Sequence, residues 1–107
     1  MSRQFDVYRN PSERTKLLYP YIMVVQHDYY GSLATRLVLP LSGHSYLKDY
    51  YHQVTPLVNI DFQTLAINAP AMTSIDKSKL NKRQFVCNLH SARSSVISAL
   101  DALVTNT

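Results

Sequence analysis

The side chains best suited to chemistry in this sequence are four histidines, His27, His44, His52 and His90, and one cysteine, Cys87. Metal-binding helices space histidines as H-x-x-x-H, and zinc sites group cysteine with histidine at short intervals; neither pattern occurs. No metal and no cofactor is therefore expected. His27 follows an apolar run and stands beside Asp28, a pairing that suits acid–base work and equally suits the polar end of a strand. Cys87 and His90, at i and i+3, could meet at the start of a helix as nucleophile and base. A lone cysteine beside Phe85 and Val86 is more often a small core residue. With two glycines in the whole chain there is no glycine-rich phosphate loop, and no G-x-S-x-G turn. The seven carboxylates are scattered. No catalytic constellation emerges, so the chain is expected not to be an enzyme.

The aromatic residues point to binding instead. Eight tyrosines stand against three phenylalanines and no tryptophan, and Tyr19, Tyr21, Tyr29, Tyr30, Tyr46, Tyr50 and Tyr51 crowd the first half. Tyrosine joins a large apolar face to a polar tip, which suits interfaces; sheet packing accounts for some of them. Tyr29 and Tyr30 precede Gly31 in an expected loop, where adjacent rings cannot both enter one core. That loop is a candidate contact surface. The formal charge is +4 with a pI near 9.3, which permits a nucleic-acid or acidic protein partner and proves neither. Lys77, Lys79, Lys82 and Arg83 cluster and read as a solvated loop. A nucleic-acid contact there is the alternative, but no aromatic interleaves the cluster until Phe85.

The elements that must position these residues are short. Alternation over 4–9 places Phe5 and Val7 on one face of a strand, and 10–13 reads as a turn. Residues 21–26 are nearly continuously apolar and rich in β-branched types, the pattern of a strand covered on both faces. Residues 28–32 form a loop with Gly31 as its hinge. A strand over 36–41 ends or bends at Pro40, or lies at an edge, because proline cannot donate to a ladder. Residues 42–55 read as a short helix or an irregular loop, with Tyr46, Leu47, Tyr50 and Tyr51 at helical spacing. Residues 56–61 and 62–67 read as two strands, 72–75 as a further short strand, and 84–87 as extended or irregular. Val96, Ile97, Leu100, Leu103 and Val104 form one apolar stripe of a closing helix, which Asn88 or Ser91 could cap. Many short strands followed by one helix imply a mainly β, small barrel-like sheet packed by that helix.

A length of 107 residues suits one domain, spanning 1–107. So small a domain buries roughly 60–70% of its unfolded surface, and dimerisation would bury more. A single cysteine rules out an internal disulfide and fits a reducing compartment. The N-terminal residues lack a signal-peptide run, and no stretch approaches the roughly 18 apolar residues of a membrane span. A cytoplasmic protein with no membrane partner is expected.

Several segments resemble the CcdB toxins of bacterial toxin–antitoxin modules. Gln4-Phe5-Asp6-Val7-Tyr8 resembles their Q-F-x-V-Y start, and Val25-Gln26-His27-Asp28 their V-Q-S-D segment. Arg36-Leu37-Val38-Leu39-Pro40-Leu41 is similar to R-(L/M)-V-I-P-L, Thr55-Pro56-Leu57-Val58-Asn59-Ile60 to Y-P-V-V-H-I, and Met72-Thr73-Ser74-Ile75 to M-(T/A)-S-V. Leu89, Arg93, Ala99, Leu100 and Asp101 match the last helix. The pieces fall in the right order over nearly the whole chain, apart from 42–54.

The resemblance implies an SH3-like β-barrel, shared with Kid, with a small extra sheet and a C-terminal α-helix. It implies a homodimer, here through Leu100, Leu103 and Val104. It implies a poison without an active site, which binds the A subunit of DNA gyrase, traps the cleaved-DNA complex and meets DNA only through gyrase. A CcdA-type antitoxin, folding on binding, would neutralise it; plasmid maintenance is the biological setting. The gyrase contacts would be Tyr29, Tyr30, Asp101, Val104, Thr105, Asn106 and Thr107. The best-known members carry tryptophan, glycine and isoleucine at the last three positions, with the tryptophan stacked on a gyrase arginine. Losing that stack removes about 0.5–2 kcal/mol, and losing a buried isoleucine about 1.5–3 kcal/mol. Tyr29 and Tyr30 stand where those members have aliphatic residues and could compensate by stacking. Two alternatives follow: a relative that keeps antitoxin binding without poisoning, and an endoribonuclease like Kid and MazF, which would need an acid–base pair.

Overall fold

The computed structural model describes residues 2–43 and 53–105. The undecided part of the 42–55 segment, with His44, Tyr46, Leu47, Tyr50, Tyr51 and His52, therefore lies mostly outside the described residues, as do Asn106 and Thr107. Among the described residues there are seven strands: β1 (Asp6–Arg9), β2 (Tyr21–Val24), β3 (Thr35–Gly43), β4 (Leu57–Ile60), β5 (Gln63–Ile67), β6 (Thr73–Asp76) and β7 (Phe85–Asn88). Helix α1 (Arg93–Thr105) follows. Every pairing is antiparallel, in the order β4-β5-β3-β2-β1-β7, with β6 attached to β3. This curled, half-barrel sheet closed by one helix is the mainly β, barrel-like architecture expected from the sequence.

Strand β3 is the spine. One edge pairs with β2 from Val38 to Leu41. The other edge is divided: Thr35–Val38 pair with β6, and Leu41–Gly43 with β5. Pro40 stands in the gap between them. Its carbonyl accepts the Asn68 N–H at 2.8 Å on that divided edge. In an extended strand the N–H and C=O of one residue share an edge, so the donor that proline lacks also faces the gap. The strand therefore neither ends nor lies at an edge at Pro40; it runs on to Gly43. The β4–β5 hairpin joins the same sheet through those last residues, so among the described residues the expected extra sheet is continuous with the main one.

The sheet is apolar on both faces. Phe5, Val7, Met23, Leu39, Leu41, Leu65 and Ile67 pack with Val96 and Ala99 of α1 on the concave side. Ile60 of β4 joins that cluster, and Val86 and Cys87 of β7 pack against it, so the curl carries both ends of the strand order to one core. Tyr8, Ile22, Val24 and Val38 form a second cluster on the convex side, covered by Ile75 and Leu80. The two-faced burial explains why 21–26 reads as a nearly continuous apolar run, of which Tyr21–Val24 form the strand.

Helix α1 turns a narrower face inward than its stripe suggests. Val96 and Ala99 are fully buried and Leu100 is half-buried. Ile97, Leu103 and Val104 are exposed. Small residues at 92 and 99 let the helix lie close to the sheet. Neither Asn88 nor Ser91 caps α1, which begins at Arg93; the Asn88 Oδ1 accepts the His90 N–H at 2.9 Å, an Asx turn that leads into a 3-10 turn over His90–Ala92.

Among the described residues three non-glycine ones adopt positive φ: Phe5 at 71°, Asp61 at 50° and Phe62 at 64°. Phe5 bends the chain so that its N–H donates to the Val24 carbonyl at 2.6 Å and its carbonyl accepts from the Leu89 N–H at 2.9 Å. Asp61 and Phe62 form the two-residue hairpin turn between β4 and β5, a conformation usually given to Asn-Gly. The sequence offers no glycine there, so 56–67 reads as two abutting strands; the turn consumes Asp61 and Phe62.

Two measurements check this packing. Ala99→Leu overfills the helix–sheet contact and lowers unfolding free energy by about 1–3 kcal/mol, whereas Ser98→Leu, one position round the helix, changes it by about 0.5 kcal/mol or less in urea titrations. Tyr8 is buried, and burial first, then Asp6, pushes its phenol above the usual value, with Arg36 opposing. The unfolded chain ionises at about pH 10, so the buried phenol's contribution is whole below that and is lost as pH rises through the raised native value. Tyr8→Phe removes that part of the alkaline fall in the urea midpoint.

Candidate functional site

The loop after β2 is built by hydrogen bonds, not by core contacts. His27 is extended, and its Nδ1 accepts the Tyr29 N–H at 3.0 Å. This caps a 3-10 turn over Asp28–Tyr30. Tyr30 N–H donates to the His27 carbonyl, Gly31 N–H to Asp28, and Leu33 N–H to Tyr30, at 3.0, 2.9 and 3.1 Å. Gln26 braces the loop from inside: its Nε2 donates to the Tyr30 carbonyl at 3.0 Å while its Oε1 accepts the Leu37 N–H at 3.2 Å. Gly31 is in the ordinary right-handed region, so it is no hinge. What it supplies is room, since a Cβ there would lie 3.1 Å from the Asp28 carbonyl oxygen.

With the backbone bonded inward, the side chains project. Tyr29 is 80% exposed and Tyr30 52%. Their rings meet edge to face, with centroids 5.0 Å apart and planes at 87°. Exposed Leu33 extends the patch. The loop's base is tied to the N-terminal segment: the Gln4 N–H donates to Asp28 Oδ1 at 2.8 Å, and Gln4 Nε2 to the Val25 carbonyl at 3.0 Å. The Gln4 carbonyl in turn accepts from Asn88 Nδ2 at 3.0 Å, on the approach to α1.

Of the other expected contact residues, Asp101, Val104 and Thr105 are described and lie on the far half of α1. Asp101 and Thr105 are exposed, and Val104 is 78% exposed. Thr105 Oγ1 donates to the Asp101 carbonyl at 2.7 Å. These positions are roughly 12–18 Å along the helix axis from Arg93, whereas Gln4 ties the tyrosine loop to the helix start. Among the described residues the expected contacts thus lie on two elements, the loop after β2 and the second half of α1.

The candidate chemical groups that are described, His27, His90 and Cys87, are engaged elsewhere. His27 caps the loop. The His90 ring stacks edge-on against buried Phe5, with centroids 5.8 Å apart. Cys87 is half-buried against the concave core. Burial pushes its thiol up, and Asp61 and Asp6 add to the effect; the neutral form is favoured, the reverse of what a nucleophile needs. Among the described residues, no group of three His, Cys, Asp or Glu side chains is placed to hold a metal. Among them, too, no helix is long and apolar enough to cross a membrane. The basic cluster falls on two exposed 3-10 turns, Lys77–Lys79 and Lys82–Gln84, capped by Asp76 and Asn81. One feature escaped sequence reasoning: a cleft of about 770 Å³ on the convex side, bordered by Asn10, Arg14, Tyr19, Ile22, Ile75 and Lys79. Its walls come from segments about sixty residues apart, and no local pattern announces it.

A family profile described as CcdB protein matches residues 4–106. The chain belongs to the CcdB family. As a CcdB-family protein it is a toxin of a toxin–antitoxin module, with an antitoxin partner implied in general terms. No curated protein matches the sequence.

The environment of Cys87 has a direct consequence. A disulfide-exchange reagent should modify it several-fold more slowly in the native protein than in urea at pH 8. The native rate should climb with pH beyond the point where an ordinary thiol has fully ionised.

Proposed function

We propose that this CcdB-family toxin acts by binding the A subunit of DNA gyrase and trapping the cleaved-DNA complex, meeting DNA only through gyrase. The observation that carries the reading is the ordered loop that holds Tyr29 and Tyr30 outward as an edge-to-face pair. A rigid aromatic pair supplies contact area with little ordering cost and can stack on an arginine, for about 0.5–2 kcal/mol. Exposed Asp101, Val104 and Thr105 on α1 provide the second patch, with Asn106 and Thr107 completing the proposed contact set. A homodimer through Leu100, Leu103 and Val104 would cover part of the helix's outer apolar face and bring patches from two copies into one assembly.

The mode is binding, not catalysis. His27 and His90 each have a structural partner, which favours this mode over RNA cleavage by a Kid-like or MazF-like route. Neutralisation falls to a CcdA-type antitoxin, and the setting is cytoplasmic plasmid maintenance. A relative that keeps antitoxin binding without poisoning is favoured by one observation: Thr105-Asn106-Thr107 carries no aromatic or large apolar side chain.

Plasmid incubated with gyrase, ATP and this protein separates the two. Protein-dependent linear DNA is the expected result. Tyr29→Ala with Tyr30→Ala abolishes it while leaving the urea midpoint within about 0.5 kcal/mol of the parent. No linear DNA from a folded protein that still binds a CcdA-type antitoxin selects the non-poisoning relative, and full trapping by the double variant removes the tyrosines from the contact set.

A further inference from the structure

Arg36 lies on the convex face of β3, in the same row as buried Val38, and is 4% exposed. Its guanidinium is a cation, yet among the described residues every hydrogen-bond acceptor it reaches is neutral. Nη1 donates to the carbonyls of Leu33 at 2.7 Å and Thr35 at 3.0 Å. Nη2 donates to the Gly31 carbonyl at 2.7 Å, and Nε to Ser2 Oγ at 3.1 Å. Among the described residues the one ion pair joins Lys16 to Glu13, so no described carboxylate is within ion-pair distance of the buried charge. Such a site is costly to desolvate, and packing alone would favour an apolar side chain beside Val38.

The placement of the acceptors explains the cation. Three carbonyls converge on it, all from residues 31–35, the stretch that follows Tyr30 and returns the chain to β3. Gly31 and Leu33 lie outside every strand, so their carbonyls have no ladder to join. One planar fork with five donors can gather them; no neutral side chain has enough.

We infer that Arg36 is the positioning residue of the Tyr29–Tyr30 contact surface. It clamps 31–35 from beneath and links that stretch to Ser2, so the tyrosine pair meets its partner already ordered. Ordering before contact lowers the cost of association. The inference rests on the reading of that loop as the gyrase contact, and it deepens that reading.

Amide hydrogen exchange and plasmid trapping, measured together on full-length Arg36→Met and Arg36→Lys proteins, test it. In Arg36→Met the Tyr30, Gly31 and Leu33 amides should exchange at least about tenfold faster, while amides of the β4–β5 hairpin and α1 keep the parent rate. Trapping should fall to the level of the Tyr29→Ala, Tyr30→Ala protein, and adding Arg36→Met to that protein should cost nothing more. Arg36→Lys, with one charged donor group, should fall between parent and Arg36→Met in both readings, and it decides the matter if Arg36→Met does not fold. Unchanged loop exchange, equal acceleration everywhere, or parent-level trapping from an opened loop would each overturn the inference. A parent protein that traps no DNA overturns the gyrase reading instead, and the exchange rates alone then decide whether Arg36 is the clamp.

Discussion

The divided edge of β3 is the constraint on which the rest of the structure depends. One strand of nine residues serves β2 along one side and two different strands, β6 and β5, along the other. Such a division needs a place where no donor is required, and Pro40 provides it. Beyond that point the β4–β5 hairpin departs to wrap the concave side, bringing Ile60 into the core that Val96 and Ala99 close. Before it, β6 and the turns that follow cover the convex side with Ile75 and Leu80. A sheet with two buried faces thus arises from a single strand whose partners change midway.

The same strand sets the site. Its second residue is Arg36, and the loop that enters it carries the tyrosines. The β2–β3 connection cannot rely on apolar burial, because Tyr29, Tyr30 and Leu33 all face outward. It is held instead by polar groups working inward: His27 and Gln26 within the loop, Gln4 at its base, Arg36 beneath it. This division of labour, polar residues ordering a backbone so that apolar ones can be displayed, is what a recognition loop requires. The chemical candidates fit the same pattern. His27 and Cys87 serve architecture, one as a cap and one as half-buried packing.

Much of the fold was legible because burial leaves periodic traces. The 21–26 run declared a strand covered on both faces, and the end of the chain declared a helix. The legible part stops where one residue type satisfies two demands. The apolar stripe at 96, 97, 100, 103 and 104 marks the helix but not its inner face, since Ala99, invisible in such a stripe, is more buried than Leu103. Pro40 reads as a strand breaker because sequence cannot show that its missing donor faces a gap. The Asp61-Phe62 turn lacks the glycine that would announce it, and tertiary pairing holds both residues at positive φ regardless. Tyr29 and Tyr30 were legible as outward-facing, because neighbouring aromatics in a loop cannot share one core. The burial of Arg36 was not legible, since an arginine opening a strand looks like any surface charge until its buried acceptors are seen.

The central claim is that the outward loop and the outer face of α1 form the recognition surface while both cores only support it. Hydrogen exchange of the protein alone and in complex with the gyrase A subunit tests this most directly. The account predicts slowed exchange at 28–33 and along 100–105, with the β4–β5 hairpin and the 77–84 turns unchanged. Protection confined to the basic turns or the convex cleft, with the tyrosine loop exchanging as freely as before, would contradict it.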